Sequence, residues 1–303
     1  MTAVSVEAKA ASAADLIAIA ICTLAWGTTW FAITLQLGAV DAVVSVVYRF
    51  GIASALLFLW CILRGERIGM TPAQHLATLG TGVFTFGINY AMVYWAEERV
   101  NSAVVAVIFA LMAFINLALF RVLFRQRAPL LAWAGACLGV AGVASLSWGE
   151  ISAANLSSVA ILGMVLALGS VFTASLGNAF ARRSEIAGTS LIPATAWGMA
   201  YGAGGLALLA FATGRHWAFQ PTWSYTLSLL YLAVIGSVVA FLFYFSLARR
   251  SGYALASYTS ALTPPLAMAV SSLFEAKHWG ASALAGVALV VSGQWLLLRS
   301  KRV

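Results

Sequence analysis

The sequence predicts an all-α integral membrane protein of ten transmembrane helices, built as two inverted five-helix repeats. Three observations predict it. Hydrophobic residues make up 62% of the 303 positions and charged residues only 9%, with a mean hydropathy of +0.95. Apolar runs of membrane-crossing length recur along the chain, and the second half repeats features of the first at a fixed offset. A soluble chain of this size cannot cover itself with so few charges. Crossing a hydrocarbon core takes about 20 apolar residues as a helix, and lipid leaves only helices or closed barrels as spanning structures.

The first fifteen residues, MTAVSVEAKAASAAD, lack a basic stretch leading into a short apolar core, so they are expected to remain as a cytoplasmic tail (1–14). Apolar segments then run over 16–37, 42–63, 76–96, 102–120 and 130–148, forming a first unit (15–149). After the polar connector GEISAANLSS, segments at 156–181, 189–213, 223–248, 254–274 and 281–298 form a second (150–299), followed by a short basic cytoplasmic C-terminus (300–303).

Charge sets the orientation. With ten alternating helices and a cytoplasmic N-terminus, Lys9, Arg64, Arg67, Arg121, Arg125, Arg127, Arg182, Arg183, Arg249, Arg250, Arg299, Lys301 and Arg302 fall inside, and Arg99, Arg215 and Lys277 outside. That positive-inside split places both termini in the cytoplasm and the chain in the inner membrane; one helix more or fewer would scramble it. The net charge of +8 is dispersed at segment ends, which argues against nucleic acid as a partner. Cys22, Cys61 and Cys137 lie in three different segments without paired spacing, so small buried hydrophobes are expected and neither disulfides nor a metal site.

Sliding the chain by 151 residues lays AWAGACLGVAGV over ALAGVALVVSGQ without a gap, with Gly135 and Gly142 on Gly286 and Gly293. Because five is odd, a second copy must enter the membrane from the opposite side, an arrangement that gives secondary transporters two related states around one site.

TLAWGTTWFA, YRFGIASALLFL, NYAMVYWAEERVNSAVVAVI and the long stretch from FYFSLARRSGYALASYTSALTPPLAMA to AGVALVVSG resemble the drug/metabolite transporter superfamily, in its ten-helix EamA-type branch and within that the YddG-type aromatic amino acid exporters. The resemblance covers about residues 15–298 and implies a secondary transporter exporting small metabolites, best matched to aromatic and other neutral amino acids, by alternating access, without a cofactor. The first copy departs from the pattern: where the second has ALTPPLAMA and LFEAKHW, it has AFINLALF and FRQRAP.

Arg49 is the one full charge placed well inside a segment, which marks either a functional group or a pin for the bundle, and it is a gating candidate. Asp15, Asp41, Glu97, Glu98 and Glu275 all fall at segment ends. With no carboxylate inside the membrane, neutral or zwitterionic substrates and passive facilitation are expected over carboxylate-based proton coupling. Trp26 and Trp30, and Phe86, Tyr90 and Tyr94, recur every four residues and line helical stripes. At the repeat offset the second stripe falls on Ser237, Phe241 and Phe245, with Tyr244 beside them, and Asn89, Asn178, Tyr258 and Gln294 add hydrogen-bonding groups. Rings with a few amides and hydroxyls suit an amphipathic solute, though the same residues also serve as packing. Pro264 and Pro265, mid-segment, predict a kink or unwound turn and are hinge candidates. The glycine pairs predict close helix contact inside the bundle, with a monomer as the expected state.

Other classes fit less well. His75, His216 and His278 sit at segment ends and no GxSxG elbow is present, which argues against an intramembrane enzyme. No GxxxxGK loop exists for an ATP-driven pump. A channel or passive membrane subunit remains the alternative, opposed by the absence of charged rings.

Overall fold

The computed structural model describes residues 12–38, 40–126, 129–153, 157–257, 259–276 and 278–299, and among them every regular element is helical. In chain order these are α1 (Ala13–Thr34), α2 (Ala42–Arg64), α3 (Pro72–Glu97), α4 (Ser102–Phe124), α5 (Leu130–Ala153), α6 (Ser158–Ile186), α7 (Leu191–Ala212), α8 (Trp223–Ser251), α9 (Thr259–Phe274) and α10 (Ala281–Arg299). Seven are long and apolar enough to cross a membrane, and α5, α9 and α10 contribute the shorter apolar stretches Leu130–Ser145, Leu262–Phe274 and Ala281–Gly293. Of the expectations above, the tail up to residue 11, Lys9, Arg127, Tyr258, Lys277 and the basic C-terminus 300–303 lie outside the described residues, as does the side chain of Gln294.

Polar residues between the runs start the helices. Ser12 and Asp15 form a reciprocal capping box on α1, and Thr71 and Gln74 another on α3, with Pro72 in its first turn. Asp41 accepts from the Val43 and Val44 amides at the start of α2. The connections gather at two ends. At one, the links α1–α2 and α7–α8 meet through Asp41 and Arg215 at 2.9 Å. There too the α3–α4 link meets the end of α9, where Ser102 donates to Glu275 at 2.7 Å and Ser271 to Asn101 at 3.0 Å. At the other end, Arg250 and Ser251 of α8 reach Asp15 of α1 at 3.3 and 3.0 Å, and Gln74 of α3 reaches the Ala187 carbonyl beyond α6 at 2.9 Å. Helices that cross in alternating directions produce this separation of links.

Helices α5 and α10 pack at the glycines picked out by the repeat. A Cβ on Gly142 would press into the Gly286 carbonyl, and one on Gly293 into the Gly135 carbonyl. Numbers rise on one helix as they fall on the other, and Ser145 donates to the Ser282 carbonyl at 3.2 Å, so the two helices run antiparallel. Moving each contact by 151 residues turns the first pair into the second. On the opposite flank, Gly198 and Gly202 of α7 let α3 approach: a Cβ at Gly202 would lie 2.6 Å from the Phe86 Cβ.

Two features went unforeseen. Helix α3 contains a π-helical stretch at Gly82–Ile88 and α8 another at Val234–Val239. Shifted by 151, the second falls inside the first. Helix α4 is also interrupted after Phe109 and resumes at Met112.

One expectation is narrowed and another corrected. Helix α9 is not unwound at its prolines: it runs from Thr259 through Pro264 and Pro265 to Phe274, and the interruption falls earlier, after the single turn Tyr253–Ala256. The Thr263 hydroxyl donates at 2.8 Å to the Ser260 carbonyl, the acceptor that Pro264 deprives of an amide, which repairs the gap locally. Cys22 and Cys61 are buried, but Cys137 is exposed on α5. A thiol is apolar enough to face lipid as readily as a core.

Candidate functional site

A small cavity of about 50 Å³ lies between α1, α3, α4, α6, α8 and α9. Seven of the predicted cavity residues line it: Trp26, Trp30, Asn89, Tyr90, Asn178, Phe241 and Tyr244. Trp26 anchors the aromatic wall, 5.3 Å centroid to centroid from both Phe241 and Tyr244. Trp30 packs on Phe109 at 5.2 Å, and Tyr90 edges onto Phe50 at 4.8 Å. Such offset and edge-on pairs lock ring positions and leave faces free toward the cavity.

Phe86 and Tyr94 do not line it. Phe86 is fully buried between Phe50 and Phe241, at 5.1 and 4.8 Å, backing onto α7. The Tyr94 hydroxyl donates at 2.8 Å to Gln36, in the turn after α1. The lining stripe is Thr85, Asn89 and Val93 with Tyr90 beside it, one position over from the predicted Phe86, Tyr90 and Tyr94. The sequence reading also missed Thr29, Thr85, Ser260 and Thr263, hydroxyl residues on the lining, and the buried Asn116 behind it. Thr85 could have been found as the residue four before Asn89.

The polar groups fall into two kinds. Asn178 is held: its amide donates to the Tyr244 hydroxyl at 2.9 Å and sits 3.5 Å from the Asn116 carbonyl oxygen, while the Asn116 amide donates to Ser257. In contrast, Trp30 Nε1, Thr85 Oγ1 and Asn89 Oδ1 are buried without a hydrogen-bond partner. A buried polar atom left unpaired costs about 1–3 kcal/mol. The donor comes from α1 and the acceptor and hydroxyl from α3, and such unpaired groups among the lining residues are ones that a ligand or water would satisfy. No residue lining this cavity carries a formal charge.

Arg49 neither snorkels nor enters the cavity. It is completely buried, with Nε donating to Ser237 Oγ at 2.9 Å and Nη2 to the Gly236 carbonyl at 3.3 Å, both in the π-helical stretch of α8. Its guanidinium lies 4.5 Å from the Tyr90 ring centroid and 5.2 Å from that of Phe50. The Gly236 carbonyl also accepts from Trp26 Nε1 at 3.3 Å. Arg49 therefore pins α2 to α8 and backs two cavity residues, Trp26 and Tyr90.

Asp15 and Glu97 lie at helix ends, and the structure adds that both are buried there. Asp15 and Glu97 are each only 6% exposed. Asp15 is satisfied by Ser12, Ser251 and Arg250, whereas neither oxygen of Glu97 has a partner. The last residue of a helix is buried when neighbouring links close over it, as the α3–α4 link and the end of α9 do here. Among the described residues, no cluster of histidine, cysteine and carboxylate side chains could hold a metal ion.

The model of the EamA-like transporter family matches the chain twice, over residues 14–148 and 161–299. The uncharacterized inner membrane transporter YedA of Escherichia coli K12 is 27% identical over 247 residues, covering 80% of this chain and 77% of its own. Protein PecM of Dickeya dadantii is 26% identical over 276 residues, covering 88% and 86%. Protein PagO of Salmonella typhimurium is 24% identical over 261 residues, covering 82% and 81%. A solved crystal structure at 19% identity superposes with a TM-score of 0.73 over 97% of this chain and all of the other, which shows a shared fold.

Proposed function

The chain belongs to the EamA-like transporter family, and from that premise we propose that it exports neutral amino acids, aromatic ones among them, as the YddG-type exporters do, by alternating access through the central cavity. The observation that carries this reading is the lining: aromatic walls, no formal charge, and an unpartnered donor, acceptor and hydroxyl on Trp30, Asn89 and Thr85. The rings would stack on the apolar part of a solute and the three open groups would take its polar end.

Two inverted five-helix repeats supply the moving parts. Support comes from the twofold family match, the two π-helical stretches in register, and the antiparallel α5 and α10 whose glycine contacts interchange under the repeat. The chain would work as a monomer in the inner membrane, where the name of YedA places that relative, with both termini cytoplasmic.

Counterflow in liposomes tests the function. Unlabelled phenylalanine trapped inside is expected to drive saturable, transient accumulation of labelled phenylalanine, and Tyr90→Ala to abolish it with folding retained. Flux that never saturates would indicate a channel; no flux for any amino acid in a metabolite panel would refute the substrate class.

A further inference from the structure

Glu97 closes α3 at the end of the bundle where the α3–α4 link meets α9. It is 94% buried by its 6% exposure, and both its oxygens lack any hydrogen-bond partner. An ionised carboxylate without water, hydrogen bond or adjacent cation is among the most expensive groups to bury, at several kcal/mol even after relaxation, whereas the neutral acid costs only what a polar group costs. The charged groups acting on Glu97 are Glu275 from α9 and Arg49 from α2. Neither makes an ion pair with it: Glu275 accepts from Ser102, and Arg49 is engaged with Ser237 and Gly236. Tyr94, one turn earlier on α3, is bound to Gln36. The end of α1 with the turn after it (residues 26–36) and the start of α6 (residues 158–168) carry no titratable side chain. The exposed pair Glu98 and Arg99 is turned to each other at 3.0 Å, and Asp41 to Arg215 at 2.9 Å.

We propose that Glu97 is a proton-binding site, and that its protonation is what allows the α3–α4 end to close. With that end shut, as here, the carboxyl group is stripped of solvent and stable only as the neutral acid. Opening would admit water and let it ionise; ionised Glu97, 
beside Glu275, would then hold the end open until a proton returned. The transporter reading supplies the purpose, a closing step sensitive to acidity on one side, but the site itself needs no solute. This revises the expectation of transport without any carboxylate.

The test is therefore solute-free. Val93, which lines the cavity one turn before Glu97, is replaced by cysteine (Val93→Cys) after Cys22, Cys61 and Cys137 are changed to alanine, and labelling by an impermeant maleimide is followed from the α3–α4 side. Between about pH 5 and about pH 8, labelling corrected for maleimide reactivity should rise by up to about tenfold per pH unit, the limit for one linked proton. Added Glu97→Gln should stay low at every pH, and added Glu98→Gln should follow the parent. A rise that persists in Glu97→Gln, or a parent indifferent to pH, overturns the proposal. An infrared carboxylic-acid band at neutral pH, lost in Glu97→Gln and displaced in Glu97→Asp, is expected from the closed form. Its absence, or closure driven by sodium in place of acid, also overturns it.

Discussion

Arg49 gives the most discriminating prediction because its contacts can be weighed one by one. Its two hydrogen bonds, to Ser237 Oγ and the Gly236 carbonyl, are charge-assisted and contribute about 1.5–3 kcal/mol each. The Tyr90 ring beneath the guanidinium adds about 1–2 kcal/mol in a desolvated setting. Against this gross stabilisation of about 4–8 kcal/mol stands the burial of a full charge, which costs several kcal/mol. Removing the side chain leaves its two acceptors in other bonds: the Gly236 carbonyl keeps Trp26, and Ser237 donates at 2.8 Å to the Leu232 carbonyl. Arg49→Met fills similar space without the charge, so it should fold with a stability within about 2 kcal/mol of the parent. Arg49→Lys keeps the charge and loses the planar fork, so it should be the less stable by about 2–4 kcal/mol. Thermal unfolding in detergent reads the order directly, with the lysine variant melting several degrees below the methionine one. Both variants should lose counterflow, because Trp26 and Tyr90 lose their common support. A lysine variant as stable as the methionine variant, or a methionine variant that transports normally, would refute the reasoning.

Thr85→Val should leave melting unchanged or raise it by about 1 kcal/mol, since Thr85 Oγ1 has no partner, yet raise the KM for solute in counterflow; an unchanged KM removes Thr85 from the site. Gly142→Ala and Gly293→Ala should each destabilise by about 1–3 kcal/mol through overpacking at backbone atoms. By contrast Gly139→Ala, whose Cβ meets nothing within 4 Å, should stay within about 0.5 kcal/mol; equal effects in all three would contradict the α5–α10 contact. Asp41→Asn breaks only the half-exposed pair with Arg215 and should cost under about 1 kcal/mol, while Asp41→Ala also removes the cap of α2 and should cost about 1 kcal/mol more in the same melt.

The helices were legible because length, hydropathy and charge at segment ends are one-dimensional properties that lipid reads directly. The glycine spacing likewise reported contact faithfully, since nothing but a missing Cβ lets two backbones approach as at Gly142 and Gly286. The site was legible only in part. Stripe reasoning found Trp26, Trp30 and Tyr90, but it followed the aromatic residues, and the stripe that faces the cavity is the neighbouring one of Thr85, Asn89 and Val93, which hydropathy does not single out. Asn116 was invisible because a single amide in an apolar run carries no period; its role comes from Asn178, Tyr244 and Ser257 meeting it in space. The burial of Glu97 was not legible for a related reason: a position at the end of a run fixes depth along one helix and says nothing about which other links close over it. Arg49 was recognised as exceptional, yet its partners lie in a local widening of α8 that hydropathy does not encode.

Side-specific labelling of the cavity wall tests the alternating-access account most directly. Ala174, on α6 at the cavity, is changed to cysteine (Ala174→Cys) in a chain whose native cysteines are alanine, and an impermeant maleimide is applied to each face of the membrane separately. The account predicts labelling from both faces, slowed from both by the transported amino acid. Labelling confined to one face under every condition, with solute giving no protection, would contradict it.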